Sequence, residues 1–208
     1  MNLTGATINF MGDSITAFSE EGKLSYVDVM VKEYGLKKAN NYAIGGSRLA
    51  KQKNGYLDWD CCGRIHDMDK DADAVVIWAG TNDCSSGDAP LGSPADRTPA
   101  TFWGACHYIM NAVMNDFAGK PILVISPMHC GTELNYNECS SAPLTVYRDI
   151  LLEVAEYYAL PVLDMYAESL LQPANETCRE RLMPDSLHPN DAGHTMIAHR
   201  VAHALEEL

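Results

Sequence analysis

Five strand-like runs recur along this chain, with segments of helical spacing between them. That alternation constrains the fold more than any other feature of the sequence. The runs are "ATINFM" (6–11), "KKANNYAI" (37–44), "DAVVIWAG" (73–80), "PILVIS" (121–126) and "PVLDM" (161–165). The third is apolar almost throughout, as expected of a strand covered on both faces. Between the first two runs, 24–35 places Val27, Met30, Val31 and Tyr34 at helical spacing, with Gly35 as a stop signal. Helices are also expected over 101–117, over 144–159, where Tyr147, Ile150, Leu151, Val154 and Tyr158 share a face, and over 191–208. Strands alternating with helices predict a parallel sheet with helices on both faces. No internal repeat, low-complexity tract or linker interrupts the pattern, so a single domain over 1–208 is expected. Irregular polar stretches fall at 46–58, 82–100, 128–142 and 172–189. In such folds ligands gather at the carboxyl ends of the strands, so these loops are where function is sought.

Charge narrows the partners. The 28 acidic and 15 basic residues leave a formal net charge of −13. Such a surface repels nucleic-acid phosphates and anionic lipid at long range. No nucleic-acid partner is expected, and a neutral small molecule is favoured. The start "MNLTGATINFMGDS" has neither a basic n-region nor a long apolar h-region. No run approaches the ~18 apolar residues of a membrane span. A cytoplasmic protein without membrane insertion is therefore expected. The seven cysteines lack metal-ligand spacing and are expected to be mostly reduced, a Cys130–Cys139 bridge being the alternative.

Four short stretches carry possible chemistry. "GDS" (12–14) follows the first strand and, taken alone, reads as a turn. The dinucleotide fingerprint G-x-G-x-x-G is absent there, and the elbow G-x-S-x-G is absent from the whole chain. "NYAIGGSR" (41–48) carries two glycines, suited to a turn or to close approach of a backbone N–H to a ligand. "IWAGTNDC" (77–84) places Asn82, a neutral N–H donor, beyond a buried strand. In "DSLHPND" (185–191), Asp185 and His188 are three apart. One turn of backbone brings such side chains together, so the carboxylate can accept the imidazole Nδ1–H and leave Nε2 as a base. The plain alternative is a surface ion pair ahead of a helix capped by Asn190 or Asp191.

Taken together and in this order, the four stretches resemble the blocks of the SGNH, or GDSL, hydrolases. The resemblance spans residue 8 to about 198, and "HPNDAGHTMIA" extends its last block. Ser186 stands where glycine is frequent. The resemblance implies a flavodoxin-like three-layer α/β/α sandwich with a five-stranded parallel sheet, and hydrolysis of carboxylic esters. Ser14 would be the nucleophile, His188 its general base and Asp185 the group that orients the imidazole. By resemblance the oxyanion donors are the Ser14 N–H, the Gly46 N–H and the Asn82 side chain. No cofactor and no metal is required. The block "GTNDCSSGDAPLGSP" is similar to members grouped as carbohydrate esterases, which favours removal of a small acyl group such as acetyl from a carbohydrate or similar polar alcohol. A lysophospholipase or thioesterase is the same-class alternative. A catalytically inactive flavodoxin-like binding module, or a flavin or nucleotide binder, is the alternative of another class. Oligomeric state stays open.

Other residues invite roles that the pattern does not support. His199 and His203 are four apart, but Arg200 between them rules out H-E-x-x-H, and helical phase puts them on a solvated face roughly opposite Ile197, Val201 and Leu208. His129 and Cys130 follow a strand and either line the site or belong to a plain loop. Cys84 follows Gly-Thr-Asn-Asp, near the expected pocket, without an argued role. Trp78 is expected to pack in the core, and Trp59 either stacks on a sugar or does not contact substrate.

Overall fold

The computed structural model describes residues 1–17, 24–53, 60–131, 133 and 142–208. Its strands are β1 (Thr7–Gly12), β2 (Lys38–Asn41), β3 (Ala74–Trp78), β4 (Ile122–Ile125) and β5 (Val162–Leu163). They pair in parallel, in the order β2-β1-β3-β4-β5. That is the order of flavodoxin-like doubly wound folds. The helices are α1 (Ser14–Ala17), α2 (Tyr26–Tyr34), α3 (Cys61–Arg64), α4 (Thr81–Ser86), α5 (Phe102–Asp116), α6 (Leu144–Tyr157), α7 (Met165–Glu168), α8 (Glu176–Leu182) and α9 (Asp191–Glu206).

Strand geometry sends successive side chains to opposite faces. On β3, Val75 and Ile77 join a core with residues of α3, α5 and α6. Ala74, Val76 and Trp78 join a second core with α2 and α9. Both faces are therefore covered, which is why this run carries no polar residue and why Trp78 is 2% exposed. On β1, Ile8 and Phe10 face the α2–α9 layer, while Met11 faces the other. The polar Asn9 is tolerated in between because it is paired. Its Nδ2 donates to the Asp69 carbonyl at 2.8 Å, and its Oδ1 accepts from Asn40 Nδ2 at 2.9 Å.

Side-chain caps set the starts of α2, α5 and α9, and a glycine sets the end of α2. Ser25 and Asp28 form a reciprocal capping box at the start of α2, so the helix begins two residues later than the apolar spacing suggests. Gly35 closes it at φ +66°, a conformation glycine adopts freely. Thr101 caps α5 through Gly104 N–H, and Asn190 caps α9 through Gly193 N–H. Two expected strands are shorter than their apolar runs. β2 stops at Asn41, although Tyr42 and Ile44 still donate to the Phe10 and Gly12 carbonyls. β5 keeps two residues, because Met165 already begins α7. Three stretches expected to be irregular hold short helices instead. The turn after β1 continues into α1, 82–100 opens with α4, and 172–189 contains α8.

The register places the future site. Gly12 pairs with Trp78, and Trp78 with Ile125, so β1, β3 and β4 end level. The segments that follow them start from one edge of the sheet.

Candidate active site

Gly12 is the last residue of β1, and nothing larger fits there. A Cβ on it would lie 2.5 Å from the Trp78 carbonyl oxygen and 2.7 Å from Thr16 Oγ1. The close approach lets the chain turn at once into α1. Asp13 caps that turn, its Oδ1 accepting the Ile15 N–H at 3.0 Å and its carbonyl accepting Thr16 and Ala17 N–H. Ser14 is the first helical residue, so its own N–H has no partner inside the helix. Its side chain is half-buried, and Oγ lies 2.9 Å from His188 Nε2.

His188 is held by the segment between α8 and α9. Asp185 organises that segment. One carboxylate oxygen accepts the Leu187 and His188 N–H groups at 2.9 and 2.6 Å, and the other faces His188 Nδ1 at 2.7 Å. Partial burial raises the Asp185 carboxyl. The hydrogen bonds from the His188 ring, the His188 N–H and the Leu187 N–H outweigh it and hold the group below the ordinary carboxylate range. Asn190 closes the segment, with its N–H on the Leu182 carbonyl and its Nδ2 on the Arg181 carbonyl, both bonds being short. The Gly131 N–H donates to the Ser186 carbonyl at 2.6 Å, so the loop after β4 braces the same turn. Ser186 sits at φ +65°, left-handed backbone that a glycine adopts without strain.

The third side of the site comes from the segment after β2. Gly46 has φ +75°, and its N–H has no hydrogen-bond partner among the described residues. A side chain on the neighbouring Gly45 would touch Ser14 Cβ at 3.8 Å, so this turn lies against the serine. Asn82, on the first turn of α4, donates from Nδ2 to the Ser47 carbonyl at 3.1 Å. An amide nitrogen carries two hydrogens, and this bond directs the second. Ser14, Asp185 and His188 thus form one hydrogen-bonded chain. Gly46 and Asn82 adjoin each other through Ser47.

Two buried carboxyls lie close by. Burial raises Asp13 to about 7, against the pull of the Ile15 N–H and His188. Burial likewise raises Asp83 to about 6, against its hydrogen bonds from Ala50 and Leu49 N–H. From the sequence, Asp13 and Asp83 read as residues that shape their loops without chemistry, because nothing local marks either as buried. His194 does not stand out there; it is 1% exposed and accepts the Tyr26 N–H on Nδ1 at 3.2 Å. Burial pushes that imidazole down to about 4, so it is neutral near pH 7. A signal for it existed: 194, 197, 198, 201 and 205 repeat at helical spacing and form the buried face of α9.

The remaining candidates make other contacts. His129 pairs with Glu133 at 2.9 Å and stacks against Tyr166. Cys130 and Cys84 are buried in the α3–α5–α6 core, and no disulfide occurs among the described cysteines. Cys139 and Trp59 lie outside the described residues. His199 and His203 are exposed and face Tyr34 and Glu207 respectively. Leu208, placed by helical phase with the buried residues, is 43% exposed because the helix ends at Glu206. Among the described residues no helix is long and apolar enough to cross a membrane.

A cleft of about 740 Å³ opens beside His188, bounded by Leu24, Pro184, Pro189, Asp191 and His194. Its size suits a small-molecule ligand. A hydroxyl bonded to an imidazole, itself backed by a carboxylate, can lose its proton as it attacks a carbonyl carbon.

Comparison with known proteins agrees with this chemistry. The model of the GDSL-like lipase/acylhydrolase family matches residues 10–196. No curated protein matches the chain. One solved crystal structure is 27% identical with a TM-score of 0.86, over 100% of this chain and 99% of the other. A protein from Lactobacillus plantarum is 24% identical with a TM-score of 0.87, over 98% of each chain. The acetyl xylan esterase AlAXEase is 20% identical with a TM-score of 0.67, over 96% of this chain and 99% of its own. With the family match running over most of its length, the chain belongs to the GDSL-like lipase/acylhydrolase family and is a carboxylic ester hydrolase.

Proposed function

We propose that the enzyme removes small acyl groups, acetyl above all, from a carbohydrate or similar polar alcohol, through an acyl-Ser14 intermediate. The observation that carries the catalytic part is the chain Ser14 Oγ–His188 Nε2, 2.9 Å, and His188 Nδ1–Asp185, 2.7 Å. Ser14 Oγ attacks the acyl carbonyl and passes its proton to His188 Nε2. Asp185 fixes the tautomer and stabilises the imidazolium. The carbonyl oxygen takes up the negative charge, and the Ser14 N–H, the Gly46 N–H and the second Asn82 Nδ2 hydrogen supply donors for it. His188 then protonates the leaving alcohol, and the acyl–oxygen bond to that alcohol breaks. A water molecule, deprotonated by His188, attacks the acyl-serine and releases the acid.

The cleft has room for a leaving alcohol beside the imidazole. A leaving group must reach His188 Nε2 for its proton, and the cleft adjoins His188. Asp191 offers a polar contact to a hydroxyl there, while Pro184 and Ala192 offer apolar surface to the C–H face of a ring. The net charge of −13 disfavours anionic substrates. AlAXEase, which shares the fold, is an acetyl xylan esterase.

The test is a series of p-nitrophenyl esters from acetyl to dodecanoyl, run beside acetylated xylan and acetylated simple sugars. The acetyl ester should have the highest kcat/KM, and acetate should be released from the saccharides. A kcat/KM that rises with chain length, with no release from saccharides, would overturn the reading in favour of a lysophospholipase or thioesterase.

A further inference from the structure

Asp83 is buried, 4% exposed, and its carboxylate is spent on a segment more than thirty residues earlier in the chain. Oδ2 accepts the Leu49 N–H at 2.8 Å, and Oδ1 accepts the Ala50 N–H at 2.9 Å. Three other bonds join the same pair of segments. Asn82 Nδ2 donates to the Ser47 carbonyl, and Arg48 donates to the Ser86 carbonyl and hydroxyl at 3.0 and 2.9 Å. Arg48 also reaches back to the Gly46 carbonyl at 3.3 Å. Residues 46–50 are therefore laced to α4 side chain by side chain, in a stretch that has neither helix nor strand of its own. Helix α4 in turn issues from β3, whose end is paired in register with the end of β1 that carries Ser14.

We propose that Asp83 is a positioning residue, which holds the 46–50 segment against α4 so that the Gly46 N–H and the Asn82 amide converge on the oxygen of a substrate bound at Ser14. The inference rests on the oxyanion roles proposed above. Its chemistry depends on a carboxylate specifically. Two neighbouring backbone N–H groups point at one side chain, and only a carboxylate offers each of them a separate acceptor at that size. An asparagine of the same shape accepts one N–H and turns its own NH2 toward the other. One bond becomes a donor–donor conflict inside a buried site. The cost of burying the charge is visible in the raised carboxyl, which the two N–H bonds pull back down. An apolar side chain of that volume would avoid the cost of burying a charge but would leave both N–H groups unpaired.

The experiment compares Asp83→Asn and Asn82→Ala with the wild type on p-nitrophenyl acetate. It reads kcat and KM separately, thermal melting, and inhibition by a phenylboronic acid. The boronic acid takes the Ser14 Oγ electron pair into a tetrahedral anion, so its affinity follows the oxyanion donors rather than ground-state binding. Displacing a donor should be enough to slow the reaction, without removing the donor itself. Asp83→Asn should lower kcat roughly 10- to 100-fold, leave KM within about 3-fold and weaken the boronic acid by a factor close to that in kcat. If Asp83→Asn melts lower yet keeps wild-type kcat and boronic acid affinity, while Asn82→Ala loses both, Asp83 serves stability alone and the proposal is wrong. If Asn82→Ala also keeps both, the oxyanion reading itself fails. Should Asp83→Asn not be recovered folded, Asp83→Glu carries the same readouts. It keeps both acceptors but moves them outward by one methylene, and wild-type kcat in that variant would equally overturn the proposal.

Discussion

At the scale of single residues, the site separates groups that a sequence displays from groups that only the fold creates. Asp185 and His188 stand in a short pattern whose spacing has a chemical reason, whereas Ser14 alone reads as a turn and stood out only through the resemblance of four ordered stretches. A spacing of three positions between a carboxylate and an imidazole puts them within one turn, and the observed 2.7 Å bond is that reason realised. Asp13 and Asp83 were legible only as residues that shape loops, and their burial was not. Their burial depends on strands and loops far away in the chain. Asn82→Ala should lower kcat by about 10²–10³-fold with a smaller change in KM, measured by steady-state kinetics on p-nitrophenyl acetate. Asp13 predicts a dependence of stability on pH. Its folded carboxyl is raised to about 7, whereas in the unfolded chain it titrates near ~4. Between these values the folded protein holds a proton that the unfolded chain has released. That contribution to stability is complete below ~4 and is lost as pH rises through about 7. Asp13→Asn cannot ionise and keeps an acceptor for the Ile15 N–H. Its melting temperature should gain on the wild type across that window and hold a constant lead above it. A gap that shrinks as pH rises would contradict this.

Elements were legible in proportion to their length. Helices α2, α5, α6 and α9 each repeat their apolar spacing over at least two turns, and the expected ranges agree with the observed ones to within a few residues. Helices α1, α4 and α8 are too short to show a period, and all three border the site. Asp13 and Asn175 cap α1 and α8, and contacts to 46–50 hold α4, so the sequence showed no helical period there. The end of β1 gives a test at this scale. Gly12→Ala forces a methyl to within 2.5 Å of the Trp78 carbonyl oxygen, and the backbone must shift. The variant should lose about 1–3 kcal/mol in urea denaturation and most of its activity, since the shift carries Ser14 away from His188. Asn190→Ala tests the other end. It removes the cap on α9 and the bond to the Arg181 carbonyl. A loss of about 1–2 kcal/mol is expected from the cap. A fall in kcat should accompany it, because the same residue closes the segment that carries His188. Unchanged kcat in a destabilised Asn190→Ala would show that the segment holds its shape without that closure.

For the molecule as a whole, the alternation of strands and helices was enough to foresee a parallel sheet between two helical layers. The strand order required the family resemblance, because period and polarity do not say which strand lies beside which. Convergence of the site follows from that order. β1 and β3 are neighbours, their ends are level, and α1 and α4 leave the sheet side by side. The segment between α8 and α9 then closes over them, through contacts among residues more than 170 positions apart in sequence. No local reading could supply this closure, and the resemblance supplied it only as an ordered set of blocks. The central claim is that these distant parts serve to make Ser14 nucleophilic. The most direct measurement is labelling with a fluorophosphonate probe, followed by peptide mapping of the modified residue. The account predicts one phosphonate, on Ser14, with labelling slowed by a competing acetyl ester and absent from Ser14→Ala. A phosphonate on another residue, or labelling that persists in Ser14→Ala, would contradict it.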